Sequence, residues 1–398
     1  MKFNNKKIIR YLVPAFLVIL YVAFSGFNAL AQQHHTDTVT HQSINANEQE
    51  SGAINVQVHG EADPEEDVPV APGHKEGKID AGKLIMEHIG DAHDWHIWTY
   101  KNEHLSIPLP VIIKDHSGIK MFSSSRFHHG HATYEGYKLE KNKLVAVNGD
   151  GSINSNADFY DLSITKNVMS MFISVLILCW IMLTVARQCA GNKGRAPRGF
   201  ANIVEQLVLF VRDEVAKPSI GPKYAKFLPY LLTIFFFIFI NNLFGLIPFF
   251  PGGANVTGNI AITMVLAVIT FIITTVNGNK NYWGHILLPP GVPKALWILL
   301  IPIEIIGMFN KPIVLMIRLF ANITAGHIII LGFFSLIFIF GSMSPYLGYG
   351  VSVVSVAFTV FMNFIELLVA FLQAYVFTLL SALYFGTAVE EHHTAEHH

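Results

Sequence analysis

The chain has 398 residues, of which 52% are hydrophobic and 14% are charged, and its mean hydropathy is +0.43. Soluble domains carry about 25% charged residues, so this composition excludes a purely soluble enzyme and a disordered chain. The 27 Lys and Arg residues nearly balance the 28 Asp and Glu residues. This balance excludes a nucleic-acid binder that relies on a basic surface, and the two cysteines are too few for a disulfide framework.

Charged residues are distributed unevenly along the chain. Residues 228–279 contain none, and Glu366 is the only one in residues 319–389. Residues 32–166 are polar and mixed in charge. The sequence therefore predicts a soluble domain joined to a membrane domain, which we expect over residues 166–391 with a polar tail over 392–398.

The first 31 residues are typical of a secretory signal peptide. Four basic residues precede position 11, an apolar stretch follows to about residue 27, and residues 29–31 form a small-x-small cleavage pattern. An uncleaved anchor helix is the alternative. Both interpretations place the chain from Gln32 onward outside the cytoplasm.

The predicted exterior part has two sections. Residues 32–80 are rich in His, Gln, Asn, Glu and Pro, which predicts a flexible segment. Residues 81–165 predict a small β-rich domain, with strands near 93–100 and 105–113 and a hairpin over 137–147.

Histidines are concentrated in this exterior part, which holds 13 of the 19. Two groups have spacings compatible with metal binding: His93 with His96, and His128 with His129 and His131. No cysteine accompanies them. We favour a solvated or proton-buffering surface, and predict neither a metal nor a cofactor.

The membrane domain is predicted to be mainly α-helical, with about five spans. They are expected over residues 167–186, 228–248, 260–276, 312–340 and 351–386. The loop after the first span is basic, which predicts that this loop lies in the cytoplasm. Residues 200–217 are amphipathic, which predicts a helix on the membrane surface. The last segment is about 54 Å long as a helix, so the final pair is expected to be long and strongly tilted.

Arg318 lies deep within the fourth predicted span. An arginine at that depth costs about 2.5–3.5 kcal/mol and cannot be deprotonated, so it needs a partner, water or a function. Asn322 shares its helix face, whereas His327 is half a turn out of phase. The alternative is that Arg318 lies near a helix end and extends its charged group to the membrane interface.

The last helix carries Glu366 and Gln373 on one face, because they are seven residues apart. In an antiparallel pair, placing Gln373 level with Arg318 brings Glu366 close to the level of His327. A neutral structural pair is the alternative for His327 and Glu366. Glu304, fourteen residues before the arginine, lies on the cytoplasmic side and could be an interfacial acid.

Three motifs carry a resemblance to subunit a of the rotary F-type ATP synthase. They are residues 241–248 (NNLFGLIP), 302–327 (PIEIIGMFNKPIVLMIRLFANITAGH) and 366–380 (ELLVAFLQAYVFTLL). The similarity covers about residues 165–391. The exterior domain is longer than is usual for the family.

The resemblance implies a bacterial inner-membrane protein with a periplasmic N-terminal domain and a cytoplasmic C-terminus. Its implied partners are a ring of c subunits, the b subunits of the peripheral stalk, the remaining synthase subunits and lipid, with no nucleic acid. Arg318 would be the essential coupling arginine, with Asn322 and Gln373 beside it. His327, Glu366, Asn241 and Asn242 would line the exterior proton path, and Glu304 the cytoplasmic path.

The chain contains no G-x-x-x-x-G-K-[ST] loop, so we expect it not to be an enzyme by itself and ATP to be made on other subunits. A secondary transporter that binds anions at Arg318 is one alternative, although we see no internal repeat. A membrane-anchored metal-binding or sensory protein is another. The sequence does not determine whether the transported ion is H⁺ or Na⁺.

Overall fold

The computed structural model of the protein describes residues 90–100, 103–140, 142–154, 157–191, 198–247, 250, 252–287, 293 and 296–390. The predicted signal peptide, the predicted flexible segment over 32–80 and the predicted tail over 392–398 lie outside the described residues. The described chain is mostly helical and begins with a small region that contains β-strands.

The N-terminal β region contains seven short strands among its described residues. They are β1 Asp94–Tyr100, β2 Glu103–Pro108, β3 Pro110–Asp115, β4 Gly118–Ser123, β5 Tyr137–Glu140, β6 Lys143–Ala146 and β7 Tyr160–Asp161. All pairs are antiparallel, in sheets of order β1-β2, β4-β3-β7 and β5-β6. This confirms the predicted β-containing region.

The core of this region follows from the alternation of side chains along the strands. Val111 and Ile113 on β3 are fully buried, and they pack with apolar residues of β5, β6 and the 3₁₀-helical segment Ser124–Gly130. The predicted β5–β6 hairpin is confirmed. The single strand expected over 105–113 is wrong, because β2 pairs with β1 whereas β3 pairs with β4 and β7.

Seven helices follow in the described chain. They are α1 Lys166–Gly191, α2 Phe200–Phe210, α3 Tyr224–Leu246, α4 Ile260–Val276, α5 Lys280–Leu287, α6 Trp297–Met343 and α7 Pro345–Val389. Between α2 and α3 the chain remains helical, as a π-helical turn (Val211–Ala216), an α-helical turn (Lys217–Ile220) and a 3₁₀ turn (Gly221–Lys223).

By length and composition, four stretches of the described chain could cross a membrane: α1, the continuous α2–α3 stretch, α6 and α7. A fifth is counted if α4 and α5, which are bent by 103° relative to each other, form one broken span. The predicted bounds of α4 are confirmed. The protein is therefore a helical protein with four to five candidate membrane spans.

The structure differs from the prediction at three places. The loop expected over residues 277–294 contains α5, and α6 begins at Trp297 rather than at Pro312. Pro302 and Pro312 lie inside α6, which is possible because membrane helices tolerate the loss of a backbone donor. The turn expected over 341–345 is reduced to Ser344, because Pro345 opens α7 at a position that needs no N–H donor.

Helix α3 lies at the centre of the membrane core. Leu231, Ile234, Phe235 and Ile238 are fully buried, and the C-terminal half of α7 packs against this helix. In contrast, only 11% of the most apolar window of α6 is buried. The α6–α7 pair therefore presents a long apolar face that the rest of the described chain leaves uncovered.

Candidate functional site

Arg318 lies on the uncovered face of α6. Its side chain is exposed, and it makes no hydrogen bond or ion pair with any residue that the structure describes. Ile317, Ala321 and Asn322 are exposed beside it, so Asn322 shares the face as the four-residue spacing predicts. A guanidinium in such surroundings is available to a negative charge on another molecule.

His327 and Glu366 form a pair inside the helical region. His327 Nδ1 lies 3.7 Å from Glu366 Oε1, and the two side chains are 19% and 6% exposed. That separation exceeds a hydrogen bond. Both carboxylate oxygens of Glu366 are buried without a hydrogen-bond partner among the described residues. Glu366 therefore has unused hydrogen-bonding capacity in a buried setting.

Two glycines make room for this pair. A Cβ on Gly326 would lie 2.7 Å from Glu366 Oε1, and a Cβ on Gly245 would lie 3.4 Å from His327 Nε2. Gly245 belongs to α3, so the imidazole is enclosed between α3 and α7. The absence of side chains at both positions lets two titratable groups occupy one helix interface.

The register of α6 and α7 places Gln373 close to the level of Arg318. Lys311 Nζ lies 5.4 Å from the Tyr384 ring, and the His327–Glu366 contact lies on the other side of Arg318. Interpolation between them puts Arg318 within about one helical turn of Gln373. Gln373 is buried at 7% exposure whereas Arg318 is exposed, so the two residues lie near the same level but differ in their surroundings.

Asn241 and Asn242 lie buried at the end of α3. Asn242 donates from Nδ2 to the Ala370 carbonyl of α7 at 3.1 Å and accepts from Thr257 Oγ1 at 2.6 Å. Asn241 donates to the Phe237 carbonyl at 2.8 Å, and its Oδ1 is buried without a partner among the described residues. Asn242 thus links α3, α7 and the chain that follows α3.

The α3–α4 loop, defined here as Phe250 and residues 252–258, folds back into the helical region. Thr324 Oγ1 of α6, one turn before His327, donates to the Gly258 carbonyl at 3.5 Å. Asn255 is 7% exposed, and both of its side-chain polar atoms lack a partner among the described residues. Buried polar atoms without protein partners are usually satisfied by ordered water.

Sequence reasoning missed Asn255, Thr257 and Thr324. The one available signal was the presence of polar side chains in a stretch without charges. That signal was too general, because the fold-back of the loop onto α3 and α6 is a long-range contact. The result is a set of buried polar atoms that extends from the loop to the His327–Glu366 pair.

Glu304 lies near the beginning of α6, far from this set. Its side chain is partly exposed, and fourteen residues separate it from Arg318, a rise of about 21 Å along the helix. The arrangement therefore has a partly exposed acid near one end of α6, an exposed arginine further along, and a buried His–Glu pair beyond it.

Both ring nitrogens of His93, in the β region, lie within hydrogen-bonding distance of an acceptor on another residue. Nε2 lies 2.9 Å from Asp161 Oδ2, and Nδ1 lies 3.1 Å from the Asn142 carbonyl. Burial alone would lower the pKa of His93, but the hydrogen bond and charge of Asp161 outweigh it and raise the pKa. Both nitrogens are thus engaged as donors, which leaves no lone pair directed at a metal.

Family models match two parts of the chain. The model described as ATP synthase A chain matches residues 168–386, which include α6, nearly all of α7 and the His327–Glu366 pair. A second model, described as a domain of unknown function (DUF8433), matches residues 84–162, which include the N-terminal β region.

Curated relatives agree with the first model. An ATP synthase subunit a of Chlorobium phaeobacteroides (strain DSM 266) is 38% identical over 98% of this chain and 94% of its own length. An ATP synthase subunit a 2 of Chlorobaculum tepidum is 50% identical over 58% of this chain and 64% of its own length. One from Anaeromyxobacter sp. (strain Fw109-5) is 37% identical over 82% of this chain and 74% of its own length. The chain belongs to the ATP synthase subunit a family.

Proposed function

We propose that this chain is the membrane stator subunit of an F-type ATP synthase, in which Arg318 and two separate aqueous half-channels couple proton flow to rotation of a ring of c subunits. The observation that carries the proposal is the exposed Arg318 on the uncovered α6–α7 face. A permanent cation at membrane depth is costly, and a passing carboxylate on a c subunit would compensate it.

The arginine acts on a carboxylate that each c subunit carries. Facing lipid, that carboxylate must be protonated, because a bare charge in hydrocarbon is unfavourable. Facing Arg318, the ionised form is favoured by the opposite charge. Each c subunit therefore releases its proton on approach, and the cation blocks direct proton passage between the two half-channels. Asn322, on the same face of α6, and Gln373, on α7, would position the guanidinium.

The exterior half-channel uses the buried polar set. Asn241 and Asn255 would hold water beside Asn242, and His327 with Glu366 would pass protons onward to the ring. The polar atoms without protein partners support this route, because a proton path through a helical bundle needs groups that can exchange hydrogen bonds with water. The cytoplasmic half-channel opens near Glu304.

The energy for rotation comes from the membrane potential. Each proton that crosses supplies about 2.3 kcal/mol per 100 mV, delivered as rotation of the c ring. The stator would be held by the b subunits of the peripheral stalk, and nucleotide chemistry would occur on the remaining subunits. The N-terminal β region would lie in the periplasm and the C-terminus in the cytoplasm.

Replacing the arginine tests the proposal. Arg318→Ala should lower proton-driven ATP synthesis in energised membrane vesicles by about 10²-fold or more, as for removal of a preorganised electrostatic group. Lys311→Ala is the matched control, because it removes a positive charge seven residues away on the same helix, where the ammonium lies over Tyr384. Normal synthesis by Arg318→Ala membranes would contradict the coupling role.

A further inference from the structure

We propose that the N-terminal β region holds the α3–α4 loop against the exterior half-channel, with Trp95 as a positioning residue. This inference rests on the proposed function, in which protons pass Asn242 and His327. It gives a role to a part of the chain whose family model is described as a domain of unknown function.

Trp95 belongs to strand β1 but packs in the core of the helical region. It is 3% exposed and joins the cluster built around α3. Its ring lies 5.0 Å from the Phe250 ring at an interplanar angle of 67°, an edge-to-face pair. The strand thus contributes a large aromatic side chain to the start of the α3–α4 loop.

The strand that carries Trp95 is fixed to the first turn of α1. The Ala92 carbonyl accepts from the Lys166 backbone N–H at 2.8 Å, and Asp91 Oδ1 accepts from the Asn167 backbone N–H at 3.1 Å. These bonds satisfy donors that a helix start leaves free. Trp95 is therefore held at a defined height relative to a membrane helix.

The other side of the loop forms the wall of the proposed half-channel. Ala254 and Val256 are fully buried, which is unusual for a loop. Thr257 donates to Asn242, and Gly258 accepts from Thr324. The loop is consequently held between the aromatic pair and the groups that contact α3 and α6.

Loss of the Trp95 ring should loosen the loop, weaken the hydrogen bond from Thr257 to Asn242 and disorganise the water that Asn255 would hold. The titratable groups on this route are His327 of α6 and Glu366 of α7. The α3–α4 loop and α4 contain no charged residue, and Lys226, the one charged residue of α3, lies at the opposite end of that helix, where it donates to Asn277. Proton uptake from the periplasmic side should therefore weaken, while proton release beside Glu304 should be unaffected.

The test uses the complete synthase in proteoliposomes, with ATP synthesis measured against periplasmic-side pH at fixed potential and fixed pH on the other side. The Trp95→Ala variant should reach its half-maximal rate at an about threefold to tenfold higher proton concentration on the periplasmic side, which is a shift of about 0.5–1 pH unit. This size is expected for the loss of one aromatic pair. Its dependence on cytoplasmic-side pH should not change. Trp95→Phe should restore most of the wild-type profile.

Two further variants keep the result interpretable. Phe250→Ala removes the other ring and should reproduce the shift, even if Trp95→Ala assembles poorly. Met121→Ala, at a 73% exposed position on β4, should behave as wild type. Hydrogen exchange of the amides in residues 252–258 should be faster in Trp95→Ala and Phe250→Ala.

An unchanged half-maximal pH in both ring variants would overturn the inference, as would equal shifts on the two sides of the membrane. A loss of rate by the same factor at every pH would indicate poor assembly alone and would also overturn it. If Arg318→Ala abolishes synthesis while the ring variants are normal, only the role of the β region fails. If Arg318→Ala synthesises normally, the proposed function itself fails.

Discussion

Arg318 and His327 are nine residues apart on one helix and lie in different surroundings. The arginine is exposed on the uncovered face, whereas the histidine is enclosed between Gly245 and Glu366. Nine residues correspond to two and a half helical turns, so this separation could be predicted from the sequence alone. The closeness of His327 and Glu366 was also predictable, because antiparallel helices reverse the order of residues.

Exchanging the two members of this pair tests whether they share one proton path. The double variant His327→Glu with Glu366→His should retain more proton-driven ATP synthesis than His327→Ala or Glu366→Ala, because it keeps both titratable groups within reach of each other. Synthesis rates in vesicles with matched amounts of assembled complex provide the measurement. Equal loss in all three variants would count against a shared path.

The His93–Asp161 pair should make the stability of the β region depend on pH. The pKa of His93 is raised above its ordinary value of 6.5. The stabilisation that protonated His93 gives the β region is therefore complete below pH 6.5 and is lost as the pH rises through the raised pKa. Burial would raise the pKa of Asp161, but the hydrogen bond and charge of His93, together with hydrogen bonds from Ser163, outweigh burial and lower the pKa from its ordinary value. The contribution of Asp161 to stability is therefore lost only in stronger acid.

Hydrogen-exchange protection of β1 and β7 in the full chain should therefore be greatest between about pH 4 and 6.5. His93→Gln should remove the dependence and reduce local stability by about 1.5–3 kcal/mol, the value of a hydrogen bond to a charged group. His116→Gln, at an exposed position, is the control. Protection that rises steadily toward alkaline pH would be the wrong sign for this pair.

At the scale of elements, small residues allow the helices to approach closely. A Cβ on Gly348 would lie 2.7 Å from the Gly341 Cα, and a Cβ on Gly386 would lie 2.0 Å from the Ser219 carbonyl oxygen. The second contact joins the end of α7 to the turn before α3. Close backbone approach of this kind is the usual basis of helix packing in membranes.

Gly386→Ala should therefore destabilise the helical region by about 1–3 kcal/mol, the usual cost of overpacking. The clash is with backbone atoms, which cannot move aside as a flexible side chain can. Thermal unfolding of the detergent-solubilised chain checks the size of the effect. Gly332→Ala, where nothing lies within 4 Å of the added Cβ, should be neutral or slightly stabilising, and equal effects of both changes would refute the packing argument.

The number of long helices could be predicted because apolar length is a local property of the sequence. Helix α4 was predicted with its observed bounds, whereas the beginning of α6 was not. Proline normally ends a helix in water, and its tolerance inside α6 depends on surroundings that the local sequence does not contain. Helix α5 was missed because eight residues with little apolar content give a weak pattern.

At the scale of the whole molecule, two regions with separate cores are joined at the start of α1. The existence of two such regions was predictable from the charge distribution, because the long stretches without charges occur only in the second one. The contact of Trp95 with Phe250 was not predictable, since it joins residues more than 150 positions apart through tertiary packing. The same limit hid the roles of Asn255 and Thr324.

The uncovered face of α6 and α7 has consequences only in the complete assembly. A density map of the intact synthase tests the central claim most directly, because it records what lies opposite Arg318. We expect the guanidinium to point at a ring of c subunits, within about 4–6 Å of a passing carboxylate. A guanidinium directed into lipid head groups, or a face with no ring beside it, would contradict the account.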